Sequence, residues 1–444
     1  MSRVFHRQLK ETLPLAISGD GMYIIDQKGN RFLDGSGGAA VSVLGHSDQD
    51  VIKSIRDQVE KLSYAHTSFF SNEPAERLAN LLISHAPKGI EKVYLVSGGS
   101  EGIEAALKMC RQYFIEIGEN KRTFFISRKH SYHGSTIGAL SLGGNVQRRI
   151  PYEPFLFDVK YISPCYSYRY KNNHETDFEY GQRVSNELEE MIIKVGPERV
   201  IGFIAEPVVG ATLGAVPSVD GYFSTIRKIC DKYGILLLLD EVMCGTGRTG
   251  TLHACDHESI SPDLLINAKG LGAGYQPIGS VMVCKKIYET FEKGSGFFQH
   301  GHTYIGHTLA CAAAYAVQKK IIESNILNNV NVMGLFLKNI LLERFSKHEN
   351  IGDIRGRGLF WGVEIVKDKK TKLPFHCSIS LHKKIKKEAM ARKLIIYPGG
   401  GTADGVDGDH VLIAPPFITN EENIIDIVNR LEESINAAIS SIII

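Results

Sequence analysis

No two of the eight cysteines stand close enough to form a CxxC pair, so the usual zinc and dithiol redox motifs are absent. Their scatter is that of free thiols in an intracellular protein. Charge of one sign is also missing. A net charge of +2 gives no electrostatic case for nucleic acid or for an anionic membrane. The densest basic stretch, Lys383 to Lys387, falls in a helical pattern and reads as a solvated face. Apolar runs are short, Ile235 to Leu239 being five residues, so no membrane span is expected. The segment Met1 to Leu15 is polar and lacks the apolar centre of a secretory signal. Neither an internal repeat nor a low-complexity tract is present. These absences lead us to expect a soluble, cytoplasmic protein.

What is present is a chain of 444 residues, 43% apolar and 23% charged, long enough for two or three ordinary globular domains. Met22 to Ile25 and Arg31 to Leu33 flank a turn and predict a hairpin. Val51, Ile55 and Val59 recur at helical spacing. The middle of the chain then alternates helical periods with short apolar runs. The runs are Val93 to Val96, Thr123 to Ser127, Val159 to Ile162, Val200 to Ala205, Ile235 to Leu239, Leu264 to Ile266 and Ser280 to Val283. This pattern predicts an α/β fold with a mostly parallel sheet covered on both faces. Cys165 to Gln182, polar and rich in tyrosine, reads as an inserted surface loop. A long helical region begins near Leu309. Beyond Val330, helices mix with strands at Gly358 to Glu364 and His410 to Ala414, as in a smaller α+β layer.

Five stretches carry chemistry. Ser97-Gly98-Gly99-Ser100 joins a strand to a helix, where small residues let backbone N–H groups approach an anion. Ser100 is also a suitable N-cap. Ser131-Tyr132-His133-Gly134 follows another strand, where an aromatic can cover a planar ligand. The apolar run at Leu237 to Leu239 ends on Asp240, and a carboxylate there is costly unless it has a partner. Lys269 ends a further short strand among small residues, at the same edge of the sheet. Apolar surroundings would lower its pKa and favour the free amine that forms imines. His300-Gly301-His302-Thr303 offers a hydroxyl ahead of a helix; its histidines lack a carboxylate or cysteine to complete a metal set, so no metal is expected. Taken singly, each stretch also fits a structural role: a tight turn, a core tyrosine, a strand-end salt bridge, a solvated lysine.

Their order along the chain is the inventory that binds and activates pyridoxal phosphate (PLP). The sequence resembles the class III (ω-type) aminotransferases of the fold type I PLP superfamily, from Asp20-Gly21 and Leu44-Gly45-His46 to Ala414-Pro415-Pro416-Phe417. The most specific match is Leu239 to Gly250, followed by Ala268-Lys269-Gly270. The resemblance implies a large domain with a mostly parallel central sheet, residues 61–325, and a smaller α+β domain built from residues 1–60 and 326–444. It implies a transaminase moving an amino group from an amine or amino acid to a 2-oxo acid, with PLP held as a Schiff base on Lys269. It implies that Asp240 keeps the ring nitrogen protonated, that Val242 and Tyr132 cover the two ring faces, and that Gly99 and Ser100 bind the phosphate. His133 and Glu206 belong to the same set, Glu206 near the hydroxyl edge. Thr303 would reach the phosphate of a neighbouring subunit, which implies a homodimer with shared active sites.

Departures from the family pattern bear on the substrate. Ala211 stands where ornithine- and GABA-type members place a glutamate. Gly405 to His410 lacks the arginine that many ω-amine enzymes carry before the Pro-Pro-Phe strand, and Ala39 stands where many have an aromatic. Arg355 and Arg357 are candidates for a substrate carboxylate. The same scaffold also serves aminomutases, epimerases and phospho-lyases, and a cofactor-free binding protein on this fold is a third reading.

Overall fold

The computed structural model describes residues 3–442. Strands β1 (Ala16–Asp20), β2 (Tyr23–Asp26) and β3 (Arg31–Asp34) form the expected hairpin and one further antiparallel strand. The chain continues through β4 (Ile90–Val96), β5 (Phe124–Arg128), β6 (Lys160–Ile162) and β7 (Val200–Ala205). A two-residue ribbon, β8 (Val208–Val209) with β9 (Val216–Pro217), precedes β10 (Leu236–Asp240), β11 (Leu264–Asn267) and β12 (Gly279–Cys284).

Seven strands form the central sheet in the order β4-β12-β11-β10-β7-β5-β6. The run β11-β10-β7-β5-β6 is parallel, while β12 lies antiparallel between β11 and β4. Every residue of β7 and β10 is buried, because helices cover both faces and leave no side for polar residues. Non-sequential neighbours and a reversed strand gather the C-terminal ends of β10 and β11 beside the N-terminus of helix Gly99–Glu116, which follows β4. Ligands of open α/β sheets bind in such a crevice.

The later strands β13 (Ile351–Arg357), β14 (Phe360–Ile365), β15 (Leu394–Ile395), β16 (Tyr397–Gly400) and β17 (Asp409–Ile413) make a second layer. An antiparallel sheet runs β13-β14-β17-β16, and β15 pairs in parallel with β3. Helix Glu421–Ser440 packs its buried face, including Ile424, Val428 and Leu431, into a core shared with Leu33 and Val411. No described helix is long and apolar enough to cross a membrane.

The expected surface loop at Cys165 to Gln182 is corrected here. It contains helix Ser167–Tyr170 and the start of helix Asp177–Val195, and Tyr166 and Tyr180 are fully buried. The Tyr166 hydroxyl donates to Glu364, and Arg169 Nε donates to the same carboxylate at 2.8 Å. Tyrosine and arginine read as polar, but each buries a large body once its polar tip finds a partner.

Candidate active site

A cavity of about 380 Å³ opens at the strand ends, and Gly99, Ser100, Tyr132, His133, Glu206, Asp240, Val242 and Lys269 all line it. Sequence reasoning therefore named residues that the fold brings together from five separate segments. Thr303 is not among them: it is exposed, and its carbonyl accepts from the Tyr64 hydroxyl at 2.7 Å.

Helix Gly99–Glu116 aims its first turn into the cavity and has no side-chain cap. Ser100 is not the N-cap that its type suggests. Gly98 holds that position, and the Ser100 hydroxyl instead accepts from the Ser135 N–H at 3.1 Å. The uncapped N–H groups and the positive end of the helix dipole suit a phosphate. Gly99 is required for space, since a Cβ there would lie 2.9 Å from Val242 Cγ1. Gly134 has φ +140°, and a Cβ would fall 2.6 Å from the Ser100 hydroxyl oxygen. The two turns thus interlock over the helix end.

Asp240 closes β10 and is 3% exposed. Its Oδ2 lies 2.7 Å from His133 Nδ1, and its Oδ1 accepts from the Val242 N–H at 3.0 Å. Those two bonds fix the carboxylate on the cavity wall, and His133 Nε2 is held in turn by Ser127 Oγ at 3.4 Å. Glu206, past β7, accepts from the N–H groups of Tyr132 and Gly210, both at 3.0 Å. Burial pushes its carboxyl above the usual range.

Lys269 leaves β11 with φ +45°, the left-handed region that a non-glycine residue seldom adopts. This local strain turns the side chain into the crevice; such outliers gather at functional sites. Its amine has no hydrogen-bond or ion-pair partner among the described residues. Loss of water lowers its pKa, against the opposing pull of Asp240 and then Glu206. The site therefore offers an unpartnered amine whose charged form burial disfavours, a fixed buried carboxylate, an aromatic face and an anion cradle. These are what PLP requires of a protein.

The structure also places residues that motif reasoning missed. Val41, Met243, Gln276, Pro277 and Ile278 share the wall. Gln276 to Ile278 follow the Lys269 turn in sequence, and the dense glycines at Gly270, Gly272 and Gly274 were the available signal that the chain folds back here. The proposed carboxylate arginines are corrected. Arg355 is buried, pairing with Glu364 at 2.6 Å and Asp353 at 2.9 Å and donating to the Leu213 and Gly214 carbonyls. Arg357 donates to the Ser218 carbonyl, and neither residue lines the cavity. Among the described residues, His376, Cys377 and Asp407 bring possible metal-ligand atoms within 4.8 Å of one another, outside this cavity.

Such a sheet is the architecture of the fold type I transaminases. An ω-transaminase of Pseudomonas jessenii, solved in complex with PMP, superposes with a TM-score of 0.90 at 31% identity, covering 96% of this chain and 93% of that one. The family described as "Aminotransferase class-III" matches residues 5–435, and the chain belongs to it. An uncharacterised aminotransferase of Schizosaccharomyces pombe is 44% identical over 440 residues, 99% of this chain and 96% of that protein. A diaminobutyrate–2-oxoglutarate transaminase of Halomonas elongata is 34% identical, covering 94% and 89%. The protein is an aminotransferase, a reading these relatives favour over mutase, epimerase or lyase.

Proposed function

We propose that this enzyme transfers an amino group from a primary amine or amino acid to a 2-oxo acid, using PLP carried on Lys269. The observation that supports this most is the unpartnered, dehydrated Lys269 amine facing the fixed Asp240 carboxylate across one cavity. When bound, PLP supplies an electron sink for bond-breaking at the amino-bearing carbon. Asp240, oriented by His133 and by the Val242 N–H, would keep a cationic ring nitrogen charged. Gly99 and Ser100 would hold the phosphate, with Tyr132 and Val242 on the two ring faces and Glu206 toward the hydroxyl edge. Lys269, its charged form disfavoured by burial, is fit to take a proton from the substrate carbon and return it one position away.

Thr303 would serve the site of a second copy. Its exposure, and the exposed Phe69, Phe70, Phe297 and Tyr304 beside it in sequence or near Tyr64, support a homodimer interface there. The division into residues 61–325 and a smaller domain from 1–60 and 326–444 is kept in this reading; the pairing of β3 with β15 supports it. Free thiols at all eight cysteines, seven of them buried, support a reducing, cytoplasmic setting.

The test is a half-reaction screen. Holoenzyme mixed with a panel of primary amines should lose its visible cofactor band and release carbonyl product. Adding pyruvate or 2-oxoglutarate should restore the band. Turnover without any 2-oxo acid, or no response to any donor, would overturn the proposal.

A further inference from the structure

Among the described residues, the Arg148 guanidinium has no anionic partner. Its Cζ lies 4.5 Å from the centroid of the Tyr132 ring; Tyr132 lines the Lys269 cavity, while Arg148 itself stands just outside that lining. Among the described residues, its guanidinium has no hydrogen bond or ion pair. The neighbouring arginine differs sharply. Arg149 pairs with Glu153 at 3.1 Å and donates to the Ser141 and Gly143 carbonyls. Other buried arginines are likewise engaged by the protein: Arg128 by the Glu206 carbonyl, Arg248 by those of Leu359 and Pro415, and Arg355 by Glu364.

Arg148 is half-buried. The short helix Val146–Arg149 holds it in place, with the Asn145 side chain accepting from the Arg148 N–H at 3.3 Å. Lys269 feels the Arg148 charge, which adds to the forces disfavouring its ammonium form. The loop between β16 and β17 approaches the same helix: a Cβ on Gly405 would stand 4.0 Å from Val146 Cγ2. That loop contains Asp404 and Asp407 but neither lysine nor arginine, so it brings no cation to this helix.

We propose that Arg148 binds the carboxylate of the 2-oxo acid acceptor at the mouth of the Lys269 cavity. The assignment rests on the aminotransferase reading, which supplies such an acceptor. The chemistry fits, since a guanidinium presents a planar fork that matches a carboxylate with two parallel hydrogen bonds. The cation–π contact with Tyr132 holds the guanidinium over that ring before substrate arrives.

The experiment compares wild type, Arg148→Gln and Arg148→Lys as holoenzymes. The amino-loaded form is mixed with pyruvate and, separately, with propanal, which has no carboxylate, and single-turnover rates are followed at several concentrations. For Arg148→Gln the pyruvate rate at low concentration should fall about 10- to 100-fold, the loss expected for a hydrogen bond to a charged group. The half-saturating pyruvate concentration should carry most of that loss. The propanal rate should fall at least tenfold less, and Arg148→Lys should recover part of the difference. Equal losses for the two acceptors, or no loss for either, would overturn the assignment. Should Arg148→Gln fail to fold, the same split, smaller in size, must appear in Arg148→Lys. A wild type that aminates neither acceptor would overturn the aminotransferase reading itself, and the role of Arg148 with it.

Discussion

Replacing Asp240 by asparagine removes one charge from the cavity wall and little else. The side chains are the same shape. The amide oxygen of the substituted side chain can still accept from the Val242 N–H, now 3.0 Å from Asp240 Oδ1. The amide nitrogen can donate to His133 Nδ1, now 2.7 Å from Oδ2, provided the ring changes tautomer. Fold and cavity should therefore survive. What disappears is the anion that would face a protonated ring nitrogen. A hydrogen bond to a charged group contributes about 1.5–3 kcal/mol, and two charges 4 Å apart near a protein surface interact by about 4 kcal/mol. The expected loss is about 2–4 kcal/mol, or about 30- to 1000-fold in the rate of the donor half-reaction. Asp240 is also the foremost group holding the Lys269 ammonium up against burial, so the lysine pKa should fall further. The assay is stopped-flow absorbance with one good donor, with cofactor content measured on the same sample. An Asp240→Asn enzyme that is fully loaded and reacts within threefold of wild type would refute the role given to this carboxylate.

Gly99→Ala places a methyl 2.9 Å from Val242 Cγ1, and overpacking of about 1–3 kcal/mol should weaken PLP binding about 5- to 100-fold in an absorbance titration. An unchanged Kd would contradict the close approach of helix and ring-covering valine. Arg355→Met should lower stability toward urea by about 3–5 kcal/mol, because Glu364 loses a buried partner, while the KM for 2-oxo acid stays within about twofold. A large KM change with normal stability would return Arg355 to the substrate site. Glu241 is fully buried, and burial raises its carboxyl from 4.5 to about 7. A raised acid binds more protons folded than unfolded, so its contribution is present below pH 4.5 and is lost as pH rises toward about 7. Urea titrations should show Glu241→Gln with a flatter pH dependence than wild type across that window; parallel curves would contradict the shift.

The strand-end residues were legible because local rules specify them. The unbroken Leu236 to Leu239 run, short and bounded by Gly234 and by Asp240-Glu241, reads as a strand buried on both faces, and the residue that ends it, Asp240, then sits at its edge. Asn267-Ala268-Lys269 is read the same way from β11. Strand direction is not written in such runs, which is why the reversal of β12 was invisible in Ser280 to Val283. Contacts between distant positions were equally hidden. His133 meets Asp240 across 107 residues, and Tyr166 meets Glu364 across 198. Composition alone marked Tyr166 as surface because the carboxylate that satisfies it lies in another layer of the fold. Arg355 looked available for the same reason, since its partners come from β13, β14 and the turn before β9.

The central claim is that the cofactor is carried on Lys269, and borohydride reduction of the holoenzyme tests it most directly. Reduction should fix the cofactor covalently, and peptide mass spectrometry should find it on the peptide that contains Lys269 and on no other. Lys269→Ala should take up no label and show no turnover. Label on a different lysine, or a Lys269→Ala enzyme working at the wild-type rate, would contradict the account.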